Sequence, residues 1–195
     1  MSAEAIPVEH GASWQPDPVR QRLGSYTLED VLNLPPDAPR VELVDGVMLV
    51  VPSPTEDHQD ISFLLCAWLR RHAPKEYKAI QALGVAVEID RTYEPDVLLI
   101  RAGGDGSRHF VTPDQVIIAI EVVTPRTRAR DRISKPAEYA AAGIPYYWRV
   151  EQNPVHVFAY RLGPHGRYEL AADSTEMLEL DEPFPIKLPI AEITP

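Results

Sequence analysis

Apolar and polar positions change period several times along the chain, and each change marks an element. Over residues 53–74, "SPTEDHQDISFLLCAWLRRHAP", the positions Ile61, Leu64, Leu65, Trp68 and Leu69 recur at helical spacing. Ser53 has N-cap chemistry, Pro54 suits a first turn, and Glu56 stands three after the cap, so a long helix is predicted to start there. His58 precedes Ile61 by three and Leu65 by seven, which sets it on the buried stripe at the helix's N-terminal end. "TLEDVLNLP" predicts a short helix, with Thr27 as cap, Asp30 completing a capping box and Pro35 as the stop. "VELVDGVMLVV" reads as a hairpin of two apolar runs joined by Asp45-Gly46, with Glu42 interrupting the first run.

Further on, strands are predicted at about Lys78–Gln81, Val85–Ile89, Asp96–Ile100 and Val116–Val123. The last two are almost continuously apolar, as central strands are. A helix follows and ends at Gly143, with Pro145 just beyond; Pro136, lacking an N–H, belongs in its first turn or at a kink. "YYWRVE" and "VHVFAYRL" form a hairpin about Gln152-Asn153-Pro154, and "RYELAA" adds an edge strand after the Gly163–Gly166 turn. Pro7, Pro16 and Pro18 oppose helix, so residues 1–24 read as an extended N-terminal arm; the tail from about Asp181, with Pro183, Pro185, Pro189 and Pro195, reads the same way. The fold class is α/β, a sheet bordered by antiparallel hairpins, in a single domain over residues 25–195.

Composition narrows the class. A chain of 195 residues, 45% apolar and 25% charged, has the makings of one globular core. Its one cysteine, Cys66, sits among Leu64, Leu65 and Trp68, which suits a buried thiol and a reducing, cytoplasmic location. No apolar run reaches the length of a membrane span, and "MSAEAIPVEHGASWQPDPVRQ" has neither the basic start nor the apolar stretch of a secretory signal. The net charge of -10 argues against a protein that coats nucleic acid electrostatically. It leaves room for an enzyme that touches few phosphates, because a bound cation cancels local negative charge. One segment runs against the overall sign: "PRTRARDRISK" carries Arg126, Arg128, Arg130, Arg132 and Lys135 against Asp131 alone, either a solvated loop or a contact for phosphates.

Two carboxylates interrupt the apolar strands. Asp96 opens "PDVLLI" and Glu121 lies inside "IAIEVVTP". A carboxylate in such a run is costly to bury without a partner. Glu121 therefore has a cation beside it, either an arginine in a buried salt bridge or a metal ion. If the two strands are neighbours, both carboxylates reach one ion, and Mg²⁺ commonly takes one or two protein carboxylates and keeps several waters. Taken singly, Asp96 reads as a turn or cap residue, Glu42 as an exposed strand residue, His58 as a hydrogen-bonded core histidine and Lys135 as a surface lysine; only the set has force.

The order "VELVDG", "SPTEDHQ", "EPDVLLI" and "IAIEVVTPRTRARDRISKPAEYAAAGIPYYW" resembles the Uma-type restriction endonuclease family of the PD-(D/E)XK nuclease superfamily, from about Tyr26 to Ile190. The run from Glu121 to Trp148 is its most specific part. The resemblance implies a restriction-endonuclease-like mixed sheet flanked by helices. It implies a metal-dependent nuclease acting on nucleic acid, DNA foremost, with Mg²⁺ as cofactor and Mn²⁺ as its substitute. Asp96, Glu121 and the carbonyl of Val122 would be metal ligands, Glu42 an additional acid, and His58 a residue of the site's rim. The lysine that such nucleases often carry two after the glutamate is replaced here by Val123; the resemblance assigns its role to Lys135, with Tyr139 one turn further along the same helical face. Arg126, Arg128, Arg130 and Arg132 would meet the substrate backbone. Tyr146 departs from the pattern, at a place where such sequences often carry glutamate or another polar residue. The competing reading is a catalytically silent nuclease-fold protein that binds nucleic acid or a protein partner. Hairpin edges and proline-rich arms offer routes to a homodimer.

Overall fold

The computed structural model of the chain describes residues 14–104, 106–125 and 127–195. Two short helices, α1 (Pro18–Leu23) and α2 (Leu28–Leu32), lead into the hairpin β1 (Val41–Val44) and β2 (Val47–Val50). The long helix α3 (Glu56–His72) follows, then β3 (Tyr77–Gln81), β4 (Gly84–Glu88), β5 (Arg91–Tyr93), β6 (Val97–Arg101), β7 (Phe110–Val111) and β8 (Val116–Val122). A π-helical turn (Arg130–Ser134) runs into α4 (Lys135–Ala141), and the chain continues through β9 (Tyr146–Gln152), β10 (Val155–Leu162), β11 (Tyr168–Ser174), β12 (Met177–Leu180), β13 (Ile186–Pro189) and a short 3₁₀ turn (Ile190–Ile193).

Most predicted elements form where the pattern set them. The Asp45-Gly46 turn has both residues at positive φ, 50° and 68°, as a two-residue hairpin of this kind needs. Three expectations are corrected. The arm is not wholly extended, because Asp17 caps α1 by accepting from the amides of Val19 (2.8 Å) and Arg20 (3.0 Å). Pro18 then occupies the first helical position, where its missing N–H has no bond to lose. The long helix is capped by Thr55 rather than Ser53, with Thr55 Oγ1 accepting from the His58 amide. The proline-rich tail is no arm either: β12 and β13 pair antiparallel, and Leu178, Ile186, Leu188, Ile190 and Ile193 are buried in the main core. The sequence pattern also missed β5 and β7, which are too short to show a period.

The larger sheet has six strands in the order β11-β10-β9-β8-β6-β3, and only β8 and β9 run parallel. A parallel pair needs a crossover, and here the crossover is the π turn and α4. On one face, α3 and the β12–β13 hairpin pack against Leu99, Ile118, Ile120, Val122 and Val150. On the other, Leu98, Ile100, Ala119 and Tyr147 meet Tyr139 of α4 and residues of a five-stranded sheet ordered β2-β1-β5-β4-β7. Arg91 of β5 pairs with Glu138 of α4 at 3.0 Å, tying the smaller sheet to the crossover. Among the described residues no helix is long and apolar enough to cross a membrane.

Candidate active site

The site forms where the two sheets and the crossover converge. The antiparallel register of β6 on β8 pairs Val97 with Ile120, so Asp96, one residue earlier, falls opposite Glu121. Side-chain alternation in β8 sends Ile120 and Val122 into the α3 face and Glu121 to the other. Across that gap, Lys135 and Tyr139, four apart on α4, both reach Glu121 Oε1: Lys135 Nζ and Tyr139 Oη each donate to it at 2.8 Å. Lys135 Nζ also lies 3.0 Å from Oε1 of Glu42 on β1 and 3.7 Å from Asp131 Oδ1 one helical turn back. Arg130 completes the network by pairing with the other oxygen of Glu42.

Asp96 is held separately. Its Oδ2 accepts from the Val122 amide at 2.7 Å and lies 3.2 Å from His58 Nε2. His58 Nδ1 is buried without a hydrogen-bond partner among the described residues. These groups line a cleft of about 430 Å³ bounded by Arg40, Pro52, Thr55, Glu94 and Thr127. Arg40 closes one side through a 2.9 Å pair with Glu94.

Burial governs the electrostatics. Glu42, Glu121, Asp131 and Lys135 are all at most 5% exposed. Burial alone would discharge Lys135, but Glu121 and Glu42, with Asp131, outweigh it and raise its pKa, so the ammonium stays charged. Glu42 gains in return: Lys135 and Arg130 overcome its burial and hold its carboxyl below the usual range. Glu121 is the loser. Burial pushes its carboxyl well up, Lys135 counters only in part, and Asp131, Asp96 and Glu42 push the same way. Burial also raises Asp131 and Tyr139, which keeps the Tyr139 phenol a proton donor. The cleft thus holds more carboxylate than its own cations neutralise.

The structure brings together Glu42, His58, Asp96, Glu121, Val122, Arg130, Lys135 and Tyr139 of the residues singled out in the sequence. Glu42 is buried rather than exposed on its strand, because β1 turns it into the gap between sheets. The salt-bridge partner of Glu121 is a lysine, not an arginine. Arg132 faces away from the cleft and binds Glu151 at 2.8 Å, while Arg128 is exposed; Arg126 lies outside the described residues. Tyr146 hydrogen-bonds Glu182 at 3.2 Å and takes no part in the cleft. Sequence reasoning missed Asp131, Arg40 and Glu94 as lining groups. Asp131, the lone acid of a basic run and four before Lys135, carried a usable signal; the other two carried none. Among the described residues, no three His, Cys, Asp or Glu side chains are arranged to hold a metal ion by themselves.

Comparison with known proteins bears on this arrangement. The model of the Uma2 family, described as "Putative restriction endonuclease", matches residues 28–191. The chain belongs to the Uma2 family. The matched segment takes in every residue of the cleft. A solved structure from Anabaena variabilis, described as a "putative nuclease belonging to DUF820", resembles this Uma2-family chain over 86% of its length and 96% of that chain, with a TM-score of 0.64 and 18% identity. At that identity the likeness establishes a shared nuclease-like fold. No curated protein matches the chain.

Proposed function

We propose that the cleft is the catalytic site of a divalent-metal-dependent nuclease that hydrolyses phosphodiester bonds of nucleic acid, with DNA as the substrate. The observation that carries this reading is the set of five carboxylates lining one cleft, Glu42, Glu94, Asp96, Glu121 and Asp131, against Arg40, Arg130 and Lys135, with the lysine 2.8 Å from Glu121. A hard divalent cation relieves such an excess, and oxygen ligands suit it. The described hydrogen bonds of Glu121 are both accepted by Oε1, which leaves Oε2 to coordinate a cation. Asp96, Glu121 and the Val122 carbonyl would hold the ion, the remaining positions falling to water. Mg²⁺ or Mn²⁺ held there supplies Lewis acidity and lowers the pKa of coordinated water.

The protein's own groups do the rest. Lys135, kept protonated by its acidic neighbours, sets a cation beside the attacked phosphate. Glu42 fixes that ammonium from behind, and Tyr139 holds the Glu121 carboxylate in one orientation. His58 does the same for Asp96. Arg128, exposed in the helical turn just before the π segment, would meet a phosphate backbone, whereas Arg130 and Arg132 already have carboxylate partners.

One observation favours a second reading, a nuclease-fold protein that binds without cutting. Lys135 is engaged by three carboxylates, an arrangement that a purely structural ion-pair network would also produce. Thermal melting in Mg²⁺ or Mn²⁺ tests the ligand assignment. The nuclease reading expects stabilisation of the native chain, about 2.7 kcal/mol at a hundred times the dissociation constant, abolished in Glu121→Ala. Absence of any metal response in the native chain would remove the proposed ligands and the mechanism with them. A metal response without cleavage of any DNA or RNA substrate would leave the binding reading.

A further inference from the structure

Behind the helix that carries Lys135 lies a second cavity of about 470 Å³, which shares no lining residue with the cleft. Its origin is a mismatch of side-chain size. The crossover presents Pro136, Ala137 and Ala140 to it, while the sheet opposite presents Tyr147, Tyr160 and Tyr168. Tyr147 and Tyr160 are direct cross-strand partners, and Tyr168 pairs with Leu162, two after Tyr160, so the three tyrosines share one face. Their rings run nearly parallel, with centroids 6.0 Å apart at 27° for Tyr147 and Tyr160, and 5.6 Å apart at 29° for Tyr147 and Tyr168. Tyr168 is pinned by its bond to the Ile144 carbonyl, and Tyr147 by its bond to the Asp131 carbonyl. The Tyr160 hydroxyl makes none of the described hydrogen bonds.

The charge at this cavity opposes that of the whole chain. Arg132, Arg149 and Arg167 line it. Arg132 and Arg149 share a single oxygen of Glu151, at 2.8 and 3.2 Å, and Arg149 lies over the Phe158 and Tyr160 rings. Arg167 is exposed and has no ion-pair partner among the described residues. Glu138, the acid nearest along α4, is turned to Arg91. Three guanidiniums thus face one carboxylate, on a chain of net charge -10.

We propose that this cavity binds a nucleotide unit, with the base against the half-buried Tyr160 and Tyr168 rings and the phosphate on Arg167 and Arg149. Tyrosine faces stack on any base, and guanidinium groups suit phosphate geometry. An apolar ligand would leave the arginines unused, and bare phosphate would leave the tyrosines unused. The unit comes either from a strand that leaves the cleft or from free nucleotide. The site stands apart from the cleft and does not depend on cleavage there.

The test is calorimetric titration of the full chain in EDTA with deoxyadenosine monophosphate, deoxyadenosine, inorganic phosphate and a phosphorylated single-stranded oligonucleotide. The monophosphate or the oligonucleotide is expected to bind at least about tenfold tighter than nucleoside or phosphate, a difference that each recognition element alone can supply. Arg167→Ala, at an exposed position, and Tyr160→Ala should each weaken that binding by about tenfold or more, and Glu121→Gln should leave it unchanged. An oligonucleotide that outcompetes the monophosphate identifies a strand as the source; the reverse order identifies free nucleotide. The proposal is overturned if neither binds, if phosphate alone binds as well, or if binding survives both substitutions or is lost only in Glu121→Gln. The last result would move the nucleotide to the cleft.

Discussion

The two faces of the six-stranded sheet follow opposite rules. Under α3, Ile61, Leu65 and Leu69 pack on Leu99, Ile118 and Ile120 with no charged group among them. On the crossover face, at the same depth, lie Glu121, Lys135, Asp131 and Tyr139. The two regimes are one residue apart in β8, since Ile120 and Glu121 are neighbours that point to opposite sides. The first face stabilises by removing apolar surface from water. The second buries ions, whose mutual attraction does little more than offset their desolvation. Stability supplied by one face lets the other hold buried charges that add little to folding.

The buried charges are most sensitive at Lys135. Lys135→Met removes the cation from between Glu42 and Glu121 and leaves buried carboxylates uncompensated, so urea unfolding should report a loss of about 3–5 kcal/mol. Adding Glu42→Gln should restore part of it, because the two side chains form one unit; additive losses would show that they are not coupled. Leu65→Ala on the apolar face should lose about 2–5 kcal/mol by opening a cavity, while leaving the thermal response to Mg²⁺ intact. If that response vanished too, the two faces would not be separable. Tyr139→Phe deletes one hydroxyl bond to Glu121 and should lower stability by about 1–2 kcal/mol, measured in the same way.

The smallest effect lies outside both faces. Arg20, paired with Asp30 at 2.6 Å, and the Thr27 amide hold the Asp30 carboxyl at about 2, below its usual 3.8. The folded value is the depressed one, so the contribution of this pair is present above about pH 4 and is lost as pH falls toward 2. Arg20→Ala should lower stability slightly above about pH 4 and converge with the native chain as pH falls toward 2, which flattens the acid limb in that window; curves that coincide at every pH would show that the pair contributes nothing.

The fold was largely legible because its main elements have strong local signals. The stripe of α3, the Asp45-Gly46 turn and the apolar run of β8 each state their own structure. Prolines misled at both ends. Pro18 starts a helix instead of blocking one, and Pro183, Pro185 and Pro189 sit in the loop and at the end of a hairpin whose apolar residues are buried. The site was legible in its members and not in its bonds. Spacing put Lys135 and Tyr139 on one helical face, but nothing local could show that β1 would turn Glu42 toward them, or that Arg130 and Arg132, two apart, would diverge to Glu42 and Glu151. Those contacts join segments far apart in sequence and are fixed by topology. The parallel β8–β9 crossover returns the helix over the strand it has just left.

Cleavage of plasmid and single-stranded DNA in Mg²⁺ and Mn²⁺, by the native chain beside Asp96→Asn, Glu121→Gln and Lys135→Met, decides whether the cleft is an active site. Metal-dependent cleavage by the native chain is expected, suppressed by about two to three orders of magnitude in each folded variant and absent in EDTA. Cleavage that persists in folded Glu121→Gln, or that needs no metal, would contradict the assignment of this cleft as the active site.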